Sequence, residues 1–364
     1  MADKRLKAWG NNRAGQLGDG SWAALHTRAT TVLGLTGVDV VRTAAGGAGP
    51  ATGHGLALLG DGSVRSWGAN ASGQLGDGSL SGRGAPDWVV NLGDATEIAA
   101  GGTHSLALCE DGTVLAWGQN TYGQLGNGGT ADSSVPARVR RLDEVIAIAA
   151  GLNHSLALRA DGTVWAWGHN ANGQLGDGTS TVRSAPVRVA GLDAVTRIAA
   201  GAHHSLAVAG GYAVKAWGLN ASGQLGDNTT INRYTPVRSR GGWSGGVAWI
   251  AAGSHHSLAV TGGDHRLSSW GQNTSGQLGD GTTTFRVTPV AVPGLTGVRQ
   301  VAGGREHTVV LLAGGEVHSW GANGSGQLGD GGTIDSSAPV RTFTDLVAAD
   351  TIAAPVGGDF SLAD

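Results

Sequence analysis

The string Trp-Gly-x-Asn-x-x-Gly-Gln-Leu-Gly occurs seven times, led by Trp9, Trp67, Trp117, Trp167, Trp217, Trp270 and Trp320. Successive tryptophans are 58, 50, 50, 50, 53 and 50 residues apart. That period suits the blades of a propeller and exceeds ankyrin or leucine-rich units. A second element, IAAGGTHSLAL at 98–108, recurs ahead of each Trp-Gly pair. From His54, His104, His154, His204 and His307 to the next repeated Trp the step is 13 residues, and from His256 it is 14.

The chain opens on a Trp-Gly half-repeat and stops on Phe360-Ser361-Leu362-Ala363-Asp364, the complementary half. If Asp364 ran straight into Met1, the step from Phe360 to Trp9 would be the internal 13 residues. Asp3 would then fall where Asp111 falls in its Asp-Gly turn, and Leu6 where Val114 falls. The first and last strands are therefore expected to pair in one blade, which closes the ring and leaves no open sheet edge.

Within a unit every segment reads as strand. HSLAL, an Asp-Gly hairpin signal and a β-branched, aromatic run such as TVLAW follow one another. Ala185-Pro186-Val187-Arg188-Val189 reads as an edge strand, because proline cannot donate into a ladder. The Asn and Gly positions of WGxNxxGQLGDG supply side-chain-capped and positive-φ turns. The fold class is all-β: a seven-bladed β-propeller of four-stranded blades, a single domain over 1–364. The 66 glycines and 12 tryptophans, against 3 Phe and 3 Tyr, accord with many tight turns around a repeated aromatic anchor.

A net charge of −3 with 14% charged residues gives no basic field for a phosphate backbone, so no nucleic acid is expected as partner. One cysteine, Cys109, excludes an intramolecular disulfide or a multi-cysteine zinc site. No apolar run is long enough for a leader or a membrane span, so a soluble, cytoplasmic protein with no membrane partner is expected.

At WGxNxxGQLGDG and AAGxxHSLAL the sequence resembles the regulator of chromosome condensation repeat family over essentially the whole chain. The resemblance implies a seven-bladed propeller and a face used for docking, but no single activity, because the fold serves unrelated roles. Members include a nucleotide exchange factor for a small nuclear GTPase, a plant ultraviolet-B photoreceptor and secreted inhibitors of β-lactamase. The chain lacks the basic tail that nucleosome contact implies. Photoreceptor members place chromophore tryptophans just before the HS histidine, where this chain has Thr103, Asn153, His203 and His255.

The recurring histidines are read as scaffolding, each satisfied inside its own blade. Each GQLGDG copy offers too few carboxylates for calcium and is read as a turn. Trp22, Trp88, Trp165, Trp243 and Trp249 lie outside the repeated position; Trp22, Trp88 and Trp243 exposed together would be docking anchors.

The repeats disagree immediately before the HS position. There stand Thr52-Gly53, Gly102-Thr103, Leu152-Asn153, Ala202-His203, Ser254-His255, Arg305-Glu306 and Gly358-Asp359. Equivalent places in a ring share one circle, so Thr103, Asn153, His203, His255, Arg305, Glu306 and Asp359 are candidate ligand-binding residues at one channel mouth. Five extra residues within 47–52 of the first such loop are placed to cover it. His203, His255, Glu306 and Asp359 are the acid–base candidates. His203, His255 and Glu306 also suit a metal by ligand type, but neither metal nor cofactor is expected. The first reading is an interaction module presenting one propeller face to a protein or peptide partner. The alternative is an enzyme of specialised small-molecule metabolism, its small molecule held at the channel mouth.

Overall fold

The computed structural model describes residues 5–342 and 349–364. Its strands form seven four-stranded antiparallel sheets arranged as the blades of a closed propeller. Blades 1 to 6 are contiguous, at residues 40–88, 95–138, 145–188, 195–238, 247–291 and 298–341. In blade 3 the inner strand Val145–Ala150 pairs with His154–Arg159, then comes Val164–Gly168, and Arg183–Arg188 lies outermost.

Each strand's composition follows from its radius. His154–Arg159 is covered on both sides by neighbouring blades, so His-Ser-Leu-Ala-Leu is buried throughout. The outermost strands carry Pro86, Pro136, Pro186, Pro236, Pro289 and Pro339. A prolyl nitrogen has nothing to donate, and at the edge it leaves no ladder bond unmade.

Blade 7 joins the two ends of the chain. Its sheet runs Leu25–Thr31, Lys7–Asn11, Phe360–Ala363, Ile352–Ala353. Gly10 pairs with Phe360, as Gly168 pairs with His154 in blade 3. The register inferred from the spacing is thus the one adopted, and Leu6 is buried as expected. The turn proposed at Asp3 lies outside the described residues.

Two rings of hydrogen bonds lock the blades. All seven repeated tryptophans are fully buried, and each Nε1–H donates to the carbonyl of a Gln in the preceding blade's GQLG loop, at 2.8–2.9 Å. Trp117 of blade 2 packs on Leu56, Leu58, Val64 and Val89 of blade 1. A buried aromatic or aliphatic side chain of this kind contributes ~1.5–3 kcal/mol. A Cβ on Gly176 would stand 2.8 Å from the Trp217 ring, and φ there is +68, a clearance and a conformation that exclude a side chain.

The second ring corrects the reading of the histidines. They are not satisfied inside their own blade: Nε2 of His54, His104, His154, His204, His256 and His307 lies 2.9–3.1 Å from the Ser or Thr hydroxyl of the next blade. Each hydroxyl donates to a Gln carbonyl, as Ser105 Oγ does to Gln74 at 2.9 Å. Its one hydrogen is spent there, so the imidazole donates from Nε2 and is the neutral tautomer. Burial holds these rings far below their ordinary pKa, His54 to about 4 and His104, His256 and His307 to about 3. A Cβ at Gly101 would collide with the His104 ring, which accounts for the glycine of AAG.

The docking-anchor expectation also fails in part. Trp243 is buried against Trp270, ring centres 6.0 Å apart. It stands where Leu92, Leu142 and Leu192 stand in other blades, so architecture does explain it. Trp22 and Trp88 are exposed, but Trp22 lies against Gly84 at the start of the outer strand Arg83–Trp88, whereas Trp88 ends that strand and stacks on Arg65. They are not one anchor set.

Candidate functional site

Strand direction decides which loops share a face. The turn before each HS strand and the loop after each Trp-Gly pair lie at the same end of the ring, here the upper face. The Asp-Gly hairpins and the links between blades lie at the lower face. The channel mouth identified from the sequence is therefore the centre of the upper face, ringed by the GQLG loops.

Those loops are rigid. Asn170 Oδ1 accepts from Leu175 N at 3.0 Å, and its Nδ2 donates to Asp177 Oδ1, Thr179 O and Thr181 O at 3.0–3.2 Å. Burial alone would raise the Asp177 carboxyl, but hydrogen bonds from Thr179 and Arg183 hold it below its ordinary value. Asp77, Asp177, Asp227 and Asp280 pair with Arg83, Arg183, Arg233 and Arg286 at 2.7–3.2 Å, and Asp19 with His26 at 3.2 Å. The carboxylates are committed to the turn, which is why the loop is scaffold.

On this scaffold the predicted residues fall into three groups. Thr103 Oγ1 donates to Gln119 Oε1 at 2.6 Å, and the Asn153 carbonyl accepts from His169 N at 2.8 Å. His203 and His255 lie side by side, ring centres 6.4 Å apart. Arg305 Nη2 is 2.8 Å from Asp359 Oδ2, and Ser275 Oγ is 3.4 Å from Glu306 Oε2. His203 is lowered to about 4 by burial and by the fields of His169 and His255. Burial also lowers His255, against an opposing pull from Glu306. Asp359 is raised by burial, against Arg305.

Two members were missed. His169 lies 6.0 Å from His203, and Tyr122 lies 4.7 Å from His169, which extends the pair into an arc of four rings across blades 2 to 5. Both sit in variable positions of WGxNxxGQLG, His169 directly after Trp-Gly and Tyr122 directly before Gly-Gln. The rule that singled out the pre-HS residues applies equally to those positions.

The loop at 47–52 is tied to the next blade and to itself: Gly47 N donates to Gly101 O at 3.0 Å, and Ala48 N is capped by Thr52 Oγ1 at 2.8 Å. Among the described residues no three His, Cys, Asp or Glu side chains gather as a metal-binding group. Cys109 is buried and its thiol is pushed up to about 12 by burial and by Asp94, the opposite of nucleophile activation.

Around the rim of the same face, in the loops that follow GQLG, five apolar side chains are exposed: Trp22, Leu80, Ile231, Phe285 and Ile334. Seven four-stranded blades with buried walls that repeat define this molecule as a closed seven-bladed β-propeller.

The RCC1-like domain description matches residues 5–363, and the chain belongs to that family. Its fold is similar to yeast Prp20p (Saccharomyces cerevisiae; TM-score 0.88, 25% identity, 99% of this chain and 91% of that one). It is likewise similar to human WBSCR16 (TM-score 0.87, 25% identity, 100% and 98%). The Prp20p structure is described together with that protein's binding to Gsp1p and histones. In sequence the chain is 38% identical over 74 residues to the ultraviolet-B receptor UVR8 of Arabidopsis thaliana and 42% identical over 65 residues to the human E3 ubiquitin-protein ligase HERC2. Those matches span 20% and 17% of this chain, but only 17% of the receptor and 1% of the ligase. No helix among the described residues is long and apolar enough to cross a membrane.

Proposed function

We propose that the chain is an interaction module whose upper face binds a protein or peptide partner. The observation that carries the reading is the division within each repeat. The residues that hold the ring together recur blade after blade, while the upper face combines exposed apolar loop side chains with a pre-HS pair that differs from blade to blade. Exposed aromatic and aliphatic side chains such as Trp22 and Phe285 are the kind of residue that anchors a partner. The protein binding described for Prp20p supports the same use of a propeller of this family.

The enzymatic reading has less support. A general acid–base group works best with a pKa near the working pH, and His203 at about 4 is remote from that. One oxygen of the Asp359 carboxylate is held by Arg305 at 2.8 Å.

The test is comparative capture with quantitative mass spectrometry. The expected result is a partner retained by the wild type and by the lower-face variant Tyr212→Ser, but lost with Phe285→Ser/Ile334→Ser and with His203→Ala/His255→Ala. A partner indifferent to both upper-face variants, or turnover abolished by the histidine pair alone, would replace this reading.

A further inference from the structure

We propose that the axial channel is a binding site, open at the lower face, for a small monocarboxylate with an unbranched apolar tail. The inference is independent of the upper-face reading and concerns the opposite end of the ring.

The channel encloses about 230 Å³. Alanines from all seven inner strands wall it, with Ile198, Trp249 and Val356 as larger members. Its upper end is stoppered. Leu152 Cδ1 comes within 2.9 Å of where a Cβ on Gly102 would stand and within 2.8 Å of one on Gly357, on different blades. A backbone collar surrounds this plug: Gly102 N donates to Leu152 O, Leu152 N to Ala202 O, Ala202 N to Ser254 O and Ser254 N to Gly304 O, at 3.0–3.3 Å.

At the lower end the inner strands present a second register in which the repeats differ: Arg42, Glu97, Ala147, Arg197, Trp249 and Gln300, opposite Leu58, Leu108, Leu158, Val208, Val260 and Leu311. Three of these side chains are answered by the next blade. Arg42 Nη1 is 3.5 Å from Glu97 Oε1, Glu97 Oε2 accepts from Ile148 N at 3.0 Å, and the Gln300 amide brackets Ile352 at 3.2 and 3.3 Å. Arg197 differs. It is exposed, makes no ion pair among the described residues, and rests 5.3 Å from the centre of the Trp249 ring, which forms the channel wall.

An uncompensated guanidinium at the entrance to an apolar shaft selects an anion that carries an apolar chain. An apolar shaft accepts apolar guests, and at ~30 Å³ per water-sized unit it holds about seven or eight units. Each methylene withdrawn from water gains ~0.8 kcal/mol. A planar carboxylate suits the fork of an arginine. The tail length follows from the volume and the head group from Arg197.

Octanoate, octan-1-ol and octylamine titrated separately into the chain by calorimetry test this directly. Saturable one-to-one octanoate binding is expected, with octan-1-ol at least tenfold weaker and octylamine silent. Arg197→Gln, a surface change, should bring octanoate down to the level of octan-1-ol and leave octan-1-ol unchanged. Ala251→Leu or Ala149→Leu, whichever keeps the wild-type melting curve, should abolish binding by filling the shaft. Absence of saturable octanoate binding, binding indifferent to Arg197→Gln, or binding that survives a folded filled-channel variant would each overturn the proposal.

Discussion

Phe360 and Gly55 occupy, at the interface between blades 7 and 1, the two positions that an imidazole and a hydroxyl occupy at the other six. Phe360 is fully buried in one cluster with Ala57 and Trp67, and a Cβ on Gly55 would strike the Trp67 ring. A polar pair has been replaced there as a unit by an apolar one. The arrangement is self-consistent because neither a lone hydroxyl nor a lone imidazole is left unpaired in the wall.

The same exchange at another interface should show coupling. His154→Phe is expected to destabilise the ring by about 2 kcal/mol, since Ser205 loses its buried donor. Adding Ser205→Gly should recover about 1 kcal/mol relative to the sum of the single changes, as read from urea midpoints in a double-mutant cycle. Strict additivity would show that the two positions act separately.

Acid should loosen the ring well before carboxylates protonate. Unfolded histidines take up protons near pH 6.5, whereas the folded ring refuses them until about 4 at His54 and about 3 at His104, His256 and His307. A depressed folded pKa contributes stability that is fully present above 6.5 and is lost as pH falls towards the folded value. Melting temperature should therefore drop steeply between pH 6.5 and 4, with at most about 1.4 kcal/mol per pH unit for each imidazole. His104→Phe/Ser155→Gly should flatten that slope by one proton.

The tryptophan lock should be worth more at blade 1 than at blade 2. Gln74 O receives both Trp117 Nε1 and Ser105 Oγ, whereas Gln16 O receives Trp67 alone. Trp67→Phe leaves that carbonyl bare and should cost about 1 kcal/mol more than Trp117→Phe, measured by denaturant unfolding.

Asn170→Ala should release its loop without opening the ring. Five hydrogen bonds centre on that side chain, and their loss should speed amide exchange at Leu175 by at least tenfold, with little change at Trp167. Equal acceleration at both amides would make the loop and the wall one cooperative unit.

Blade number, closure and strand roles could all be read from the spacing, because a period shows which positions are equivalent and a ring puts equivalent positions on one circle. Contacts across blades could not. The repeat reveals that His154 and Ser205 recur in step, but not that a histidine reaches forward into the next blade. The clue was a departure from the pattern: Phe360 and Gly55 break it together, in the last repeat and the first, as partners would. Equivalence also says nothing of solvent exposure, so Trp22 and Trp243 looked alike until one proved to fill a leucine site. The upper mouth was identified through its pre-HS residues. His169 and Tyr122 escaped because they lie in the neighbouring loop, and Arg197 because its register lies on the inner strands.

Phe360–Ala363 is hydrogen-bonded to Lys7–Asn11 across nearly the whole length of the polypeptide. On the ribosome, Lys7–Asn11 and Leu25–Thr31 emerge ahead of the other six blades as an isolated hairpin, a structure of marginal stability in water. Six other sheets are translated before its missing strands arrive. Ring closure therefore waits on Phe360–Ala363, and until that strand is made the nascent ring carries an unsatisfied edge that is vulnerable to wrong partners.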